Sequence, residues 1–406
     1  MTILIGIDEA GYGPNLGPLA VAATAWYVGA MGDALRNTSR ATTPTSTHAS
    51  PRAAASSPAA AIATTPVALH RDEVDLYALL RKGVTRDGSD RGARSRKRSG
   101  ERALRGDEAP PVAIADSKAL YKPGSGLRTL ERGVLAAWTA SSGPPTLSAT
   151  DLMESLGADP HELRRRLPWH ADDALALPLE ATRDDVAGAA ELLRTSCLEA
   201  GVQLVSLRAR LVFPAEFNAL VDVHGTKGAA LSHVTLALVR EIVDEAIEAE
   251  GMCAGGGDAE FAGGGDAEFA GGGDAPARGE IVITCDKHGG RNRYAALVQS
   301  HFPESWIEIH GESRAASRYA WSHRGASCTA TFRVGGEAEL PAALASMTAK
   351  YLRELAMHEF NAWWRERVPG LKSTAGYPVD AKRFKREIAA VQQRLGISDN
   401  DLWRDR

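Results

Sequence analysis

The chain predicts an α/β fold, and three observations carry that prediction. Two apolar runs, Ile3-Leu4-Ile5-Gly6-Ile7 and Ile281-Val282-Ile283-Thr284-Cys285, have the length and β-branched content of buried strands, and each runs into a carboxylate, Asp8 or Asp286. Apolar residues at Leu231, Val234, Leu238, Ile242 and Ala246 recur every three or four positions, as one buried face of a helix requires. Low-complexity stretches break the 406 residues into blocks, and the rest, roughly 300 residues, suffices for one sizeable core.

In chain order, residues 1–30 read as a β-hairpin whose turn runs from Gly11 to Pro18. Residues 37–68 are Ala, Thr, Ser and Pro with almost no large apolar side chain. Such a stretch buries too little surface to offset its ordering entropy, so disorder is expected. A short helix is expected over 74–80. The basic run 91–98 reads as a solvated loop or as a phosphate-tethering arm. Order resumes at Val112-Ala113-Ile114-Ala115-Asp116-Ser117-Lys118, helical periodicity marks 127–140, 184–200 and 231–248, and 144–183 carries no legible pattern. The octad Ala254-Gly255-Gly256-Gly257-Asp258-Ala259-Glu260-Phe261 repeats from Ala262 and begins again at Ala270, a glycine-rich linker over 252–278. Alternation over 327–334 predicts an additional hairpin. Arg314–Trp321, mixing basic and aromatic residues, suits contact with nucleic acid or a half-buried strand. The expected organisation is therefore one domain of residues 1–30 and 111–406, with 37–110 a mostly disordered insertion.

A net charge of −4 argues against a general polyanion binder but leaves room for a local basic groove. Cys197, Cys253, Cys285 and Cys328 form no Cys-x-x-Cys pair, so neither a zinc site nor a disulfide framework is expected, and a reducing cytoplasm fits. No run of about eighteen apolar residues predicts a membrane span. No obligate protein partner is evident.

The carboxylates carry the functional argument. Asp8 and Glu9 follow a strand that belongs in a core, where uncompensated charge costs several kcal/mol. Either a hard cation compensates them or they open a solvated turn, and the stretch alone is compatible with both. Asp286 repeats the strand-to-acid layout. On the helix that contains Ala345-Ser346-Met347-Thr348-Ala349-Lys350-Tyr351-Leu352-Arg353-Glu354, the spacing of Lys350 and Glu354 also suits a plain i,i+4 ion pair.

The stretch Gly6-Ile7-Asp8-Glu9-Ala10-Gly11-Tyr12-Gly13-Pro14-Asn15-Leu16-Gly17-Pro18 resembles the opening motif of type 2 ribonucleases H, in particular ribonuclease HII, with Tyr12 where Arg is usual between the turn glycines. Asp116-Ser117-Lys118, the strand ending at Asp286, the 345–354 helix and Gly370–Lys382 resemble later landmarks in the same order. The resemblance implies a ribonuclease H-like fold, a mixed central sheet flanked by helices. It implies a metal site of Asp8, Glu9, Asp286 and Glu354 with Mg²⁺ or Mn²⁺, and substrate contacts from Gly11, Tyr12, Gly13, Ser117, Lys118 and Tyr377. Tyr377 equally suits a core position. The implied activity is endonucleolytic cleavage of the RNA strand of an RNA–DNA hybrid, or of DNA containing ribonucleotides. The alternative is a diverged relative that binds nucleic acid without cleaving it.

Overall fold

The apolar amino terminus becomes a central strand because neighbours cover both its edges and both its faces. In the computed structural model, which describes residues 2–29, 74–88, 109–122, 124, 126–142, 148–158, 166–170, 175–254 and 278–405, strand β1 (Thr2–Ala10) pairs antiparallel with β2 (Leu19–Val28). A helical turn α1 (Leu76–Leu79) leads into β3 (Val84–Thr85), which pairs in parallel with β4 (Val112–Ala113) as a separate two-stranded ladder. Helices α2 (Ser117–Leu120), α3 (Arg128–Ser142), α4 (Ala149–Ser155) and α5 (Arg183–Ala200) follow, with a 3₁₀ turn at Pro168–His170 before α5. Strand β5 (Val202–Val212) returns antiparallel to β2. Helices α6 (Pro214–His224) and α7 (Lys227–Ala254) then precede β6 (Arg278–Asp286), which is parallel to β1.

After α8 (Ala295–His301), strands β7 (Glu308–Glu312), β8 (Ala316–His323) and β9 (Ala326–Arg333) complete a seven-stranded mixed sheet in the order β5-β2-β1-β6-β9-β8-β7. A 3₁₀ turn, Gly336–Ala338, leads into α9 (Leu340–Arg367), followed by α10 (Pro378–Arg394) and α11 (Asp399–Leu402). The fold is thus α/β with a mixed sheet flanked by helices, as expected.

Strand periodicity divides the core in two, since successive side chains point to opposite faces. Ile3, Ile5, Ile7, Val21 and Ile283 pack with Leu238, Ile242 and Val298 of α7 and α8. Ala20, Ala22 and Trp26 pack with Val134, Leu193, Leu344 and Met347 of α3, α5 and α9. On that second face α9 crosses β1 at Gly6, where an added Cβ would lie 2.0 Å from the Ala342 nitrogen. Thr24 Oγ1 donates to the Pro341 carbonyl at 2.9 Å and pins the same crossing.

Two expectations became elements of the sheet, and one boundary moves. The expected additional hairpin forms: β9 pairs antiparallel with β8 across the Arg324-Gly325 turn, and its other edge runs parallel to β6 within the sheet. Alternation reveals the strand and its hairpin, but not the parallel pairing with β6. Of the two readings of the basic–aromatic stretch, the half-buried strand is the one that forms: Tyr319 and Trp321 are buried on the inner face of β8, leaving their rings unavailable for base stacking. Within the expected insertion, Leu76, Leu80 and Val84 pack into the core, so 74–88 belongs to the folded body. Residues 37–68, the basic run and the octad repeats lie outside the described residues. Among the described residues no helix is long and apolar enough to cross a membrane.

Candidate functional site

Strands β1 and β6 run parallel and in register up to Ile7 opposite Cys285, which brings the next residue of each, Asp8 and Asp286, side by side at one end of the sheet. Helix α9, held close by Gly6, carries Ser346 to this end, where it hydrogen-bonds the Asp8 carboxylate; the Glu9 backbone N–H donates to the same group. Ser346 is braced by Ser117, whose N–H lies 3.4 Å from Ser346 Oγ and whose hydroxyl lies 3.0 Å from it. Asp286 Oδ1 accepts the N–H groups of Gly335 at 3.1 Å and Gly336 at 3.5 Å. Gly336 fits because a Cβ there would crowd the Cys285 and Asp286 backbone at 3.1–3.3 Å.

The turn that clasps Asp286 also delivers a fourth acid, Glu337. Its Oε1 lies 3.9 Å from Lys118 Nζ, and its Oε2 is buried without a hydrogen-bond partner. Burial, first of all, pushes Asp8 up to about 7, against the Ser346 and Glu9 hydrogen bonds, with the charges of Asp286 and Glu337 adding to the rise. Burial likewise lifts Glu9 to about 8, helped by Asp8, Asp286 and Glu337 and opposed by Lys118. Desolvation works against the Lys118 charge, but Asp116, Asp8, Glu337 and Asp286 outweigh it and raise its pKa.

Glu354 stands elsewhere. It lies eight residues beyond Ser346 on α9, about 12 Å at the helical rise. Its carboxylate takes Lys350 Nζ at 2.5 Å and the Tyr121 hydroxyl at 3.1 Å, with Arg353 Nη1 at 3.7 Å. Asp8, Glu9, Asp286 and Glu337 thus act on one another electrostatically at this end of the sheet, while Glu354 makes the i,i+4 pair its spacing offered. One signal in the sequence points to Glu337: Thr331-Phe332-Arg333-Val334-Gly335-Gly336-Glu337 repeats, for a third time, a strand running into an acid beside glycine.

The expected substrate contacts divide in the same way. Ser117 is buried as the brace of Ser346, whereas the Lys118 side chain is 78% exposed beside the acids. Gly11 has φ +86°, and a Cβ there would meet Arg353 Nε at 2.4 Å. Two buried guanidiniums hold this turn from beneath: Arg353 donates to Ala375 O at 2.9 Å and Leu16 O at 3.4 Å, and Arg404 donates to Gly11 O at 2.6 Å and Pro14 O at 2.5 Å. Gly13 is exposed, with the Tyr377 ring 3.7 Å from where its Cβ would be. Tyr377 is itself 55% exposed, on the surface beside the turn and not in the core. Tyr12 is half-buried, with Lys227 Nζ 5.1 Å from its ring centre.

Fold and site together define an α/β protein with an oxygen-only acid cluster at the carboxyl ends of two parallel strands. Desolvated carboxylates and an unpartnered Glu337 oxygen suit a hard divalent cation. Among the described residues no three His, Cys, Asp or Glu side chains are drawn together into a ready-made cage. No family model matches the chain, and no curated protein matches it. Among solved structures, the ribonuclease H2 from Pyrococcus horikoshii OT3 matches over 98% of this chain and 92% of that one, at 12% identity and a TM-score of 0.33.

Proposed function

We propose that this protein is a divalent-metal-dependent endonuclease that hydrolyses the RNA strand of an RNA–DNA hybrid. The observation that carries the reading is the adjacency of Asp8 and Asp286 on parallel strands, with Glu9 and Glu337 in the same electrostatic cluster. The mixed sheet, with β1 antiparallel to β2 and parallel to β6, supports it, because the resemblance implies a mixed central sheet flanked by helices.

Asp8, Glu9, Asp286 and Glu337 would hold Mg²⁺ or Mn²⁺, which oxygen-only ligands favour. Bound divalent ions supply charge neutralisation at phosphorus and an activated water. The chain supplies the positioning. Ser346 and the Glu9 N–H orient Asp8, the Gly335 and Gly336 N–H groups orient Asp286, and Lys118 keeps a cation beside the acids. The Gly11–Gly13 turn, exposed at Gly13 and gripped from below, offers backbone groups to a 2′-hydroxyl, the contact that separates RNA from DNA. In the reaction a water oxygen bonds to phosphorus, the P–O3′ bond breaks and the 3′ oxygen gains a proton, leaving a 3′-hydroxyl and a 5′-phosphate.

The test is cleavage of an end-labelled hybrid in Mg²⁺ by the wild type, Asp8→Asn and Asp286→Asn, with circular dichroism to follow folding. Both variants should be inactive yet folded, and undiminished cleavage in both would sink the assignment. Tyr12 in the turn favours one other reading, binding without turnover. Tight hybrid binding with no product in Mg²⁺ or Mn²⁺ would promote it.

A further inference from the structure

A groove beside the acid cluster, lined in part by Tyr12, Gly228, His288, Gly290 and Arg291, has an unusual charge balance. Other partly buried arginines of the chain are matched by acids: Arg208 by Glu245, Arg210 by Glu241, Arg240 by Asp244 and Arg383 by Asp380. Among the described residues Arg291 has no carboxylate partner, and its buried Nε makes no hydrogen bond. Its charge acts on Tyr12, opposing the influence of Glu9. Across the same ring stands Lys227, at the first position of the 28-residue helix α7. That helix directs its positive end at the groove, with a Cβ on Gly228 falling 3.5 Å from the Tyr12 hydroxyl.

The loop that carries Arg291 is built to hold its place. Lys287 Nζ donates to Arg291 O at 3.3 Å, Asn292 Oδ1 at 3.1 Å, Ser313 O at 2.7 Å and Ser317 Oγ at 3.2 Å. His288 on the floor is buried and kept uncharged, its Nδ1 2.9 Å from Ser232 Oγ. Gly289 and Gly290 face open space, where a Cβ added to either would meet nothing within 4 Å. A guanidinium without an acid on a braced loop, a lysine and a helix amino terminus beside an open groove match an external anion.

We propose that Lys227 and Arg291, at the amino end of α7, form a phosphate subsite for the backbone of a bound nucleic acid, supplying the positive charge that Tyr12 does not. The identity of the anion rests on the nuclease reading: of the groove's lining, Tyr12 lies close along the chain to Glu9 and His288 close to Asp286. A strand engaged at the acids would pass beside it.

The test is fluorescence anisotropy with a labelled RNA–DNA hybrid and a DNA duplex of the same sequence, in EDTA, across a salt series. Lys227→Ala and Arg291→Ala should each weaken binding to both duplexes. Each should also reduce the slope of log K against log salt by about 0.9, one released counterion per lost phosphate contact. Gly290→Glu, at a position with room for a side chain, should weaken binding through repulsion while melting like the wild type. Unchanged affinity and slope in Lys227→Ala and Arg291→Ala overturn the subsite, as does a wild type with no affinity for either duplex at low salt. If the variants behave as expected but the wild type cleaves no hybrid, the subsite stands and the nuclease reading falls. Cleavage by the wild type with unaltered slopes in the variants gives the converse.

Discussion

Ser346 hydrogen-bonds the carboxylate of Asp8 across the junction of α9 and β1, and the same hydroxyl is braced by Ser117. Each serine has one hydroxyl proton, so a consistent network has Ser117 donating to Ser346 and Ser346 donating to Asp8. The helix thereby fixes the direction of a carboxylate that belongs to a strand.

Removing that support should loosen metal binding without unfolding the chain. Ser346→Ala is expected to raise the Mg²⁺ concentration needed for half-maximal hybrid cleavage about tenfold, the usual scale for a group that orients a metal ligand. A Mg²⁺ titration of cleavage checks it, and an unchanged midpoint would assign Ser346 to packing alone.

Glu337 and Glu354 can be separated directly. Glu337→Gln should lower kcat by more than about a hundredfold, the loss typical when one preorganised electrostatic group is removed. Glu354→Gln should leave cleavage nearly intact and lower thermal stability slightly, through the contacts with Lys350 and Tyr121. Single-turnover cleavage and thermal melts on both variants decide the matter. The reverse pattern would restore Glu354 to the site.

The elevated carboxyls of Asp8 and Glu9 make stability depend on pH with a definite sign. Between the ordinary carboxylate range near 4 and the native values of about 7 and 8, the folded state holds protons that the unfolded chain has released. Stability contributed by these groups therefore falls as pH rises through that window. Without divalent metal, Asp8→Asn should melt higher than the wild type at pH 8 and differ less at pH 4. Added Mg²⁺ should raise the wild-type Tm at pH 8 more than the variant's. A Tm series over pH, with EDTA and with Mg²⁺, measures both.

Gly6→Ala should be costly although it adds one methyl group. The new Cβ would fall 2.0 Å from Ala342 N and 2.1 Å from Pro341 C, both backbone atoms with little freedom to move. A loss of about 1–3 kcal/mol or more is expected from overpacking. Urea denaturation gives the number, and cleavage should fall as well, because α9 carries Ser346 to Asp8. Wild-type stability in this variant would mean the helix can shift without consequence.

Much of this architecture was legible in the residues. The apolar runs ending at Asp8 and Asp286, the helical periods at 127–140, 184–200 and 231–248, and the glycine turn after Glu9 all became the expected elements. Periodicity reports which face of an element is buried, and that is local information. It does not report what the element packs against. The stretch 144–183 was opaque because, in its described part, a short helix and a 3₁₀ turn are held by distant contacts, such as Trp169 on Phe360 and Trp363.

By itself the chain determined the strands, the helices and three of the four clustered acids, because charge next to a buried run needs no neighbour to be conspicuous. Tertiary structure decided the fourth. The run into Gly335-Gly336-Glu337 offers one acid and the helical Glu354 another, and the sequence does not rank them. Only the pairing of β9 with β6, and the close turn that follows it, carries Glu337 to Asp286, while the rise of α9 carries Glu354 away.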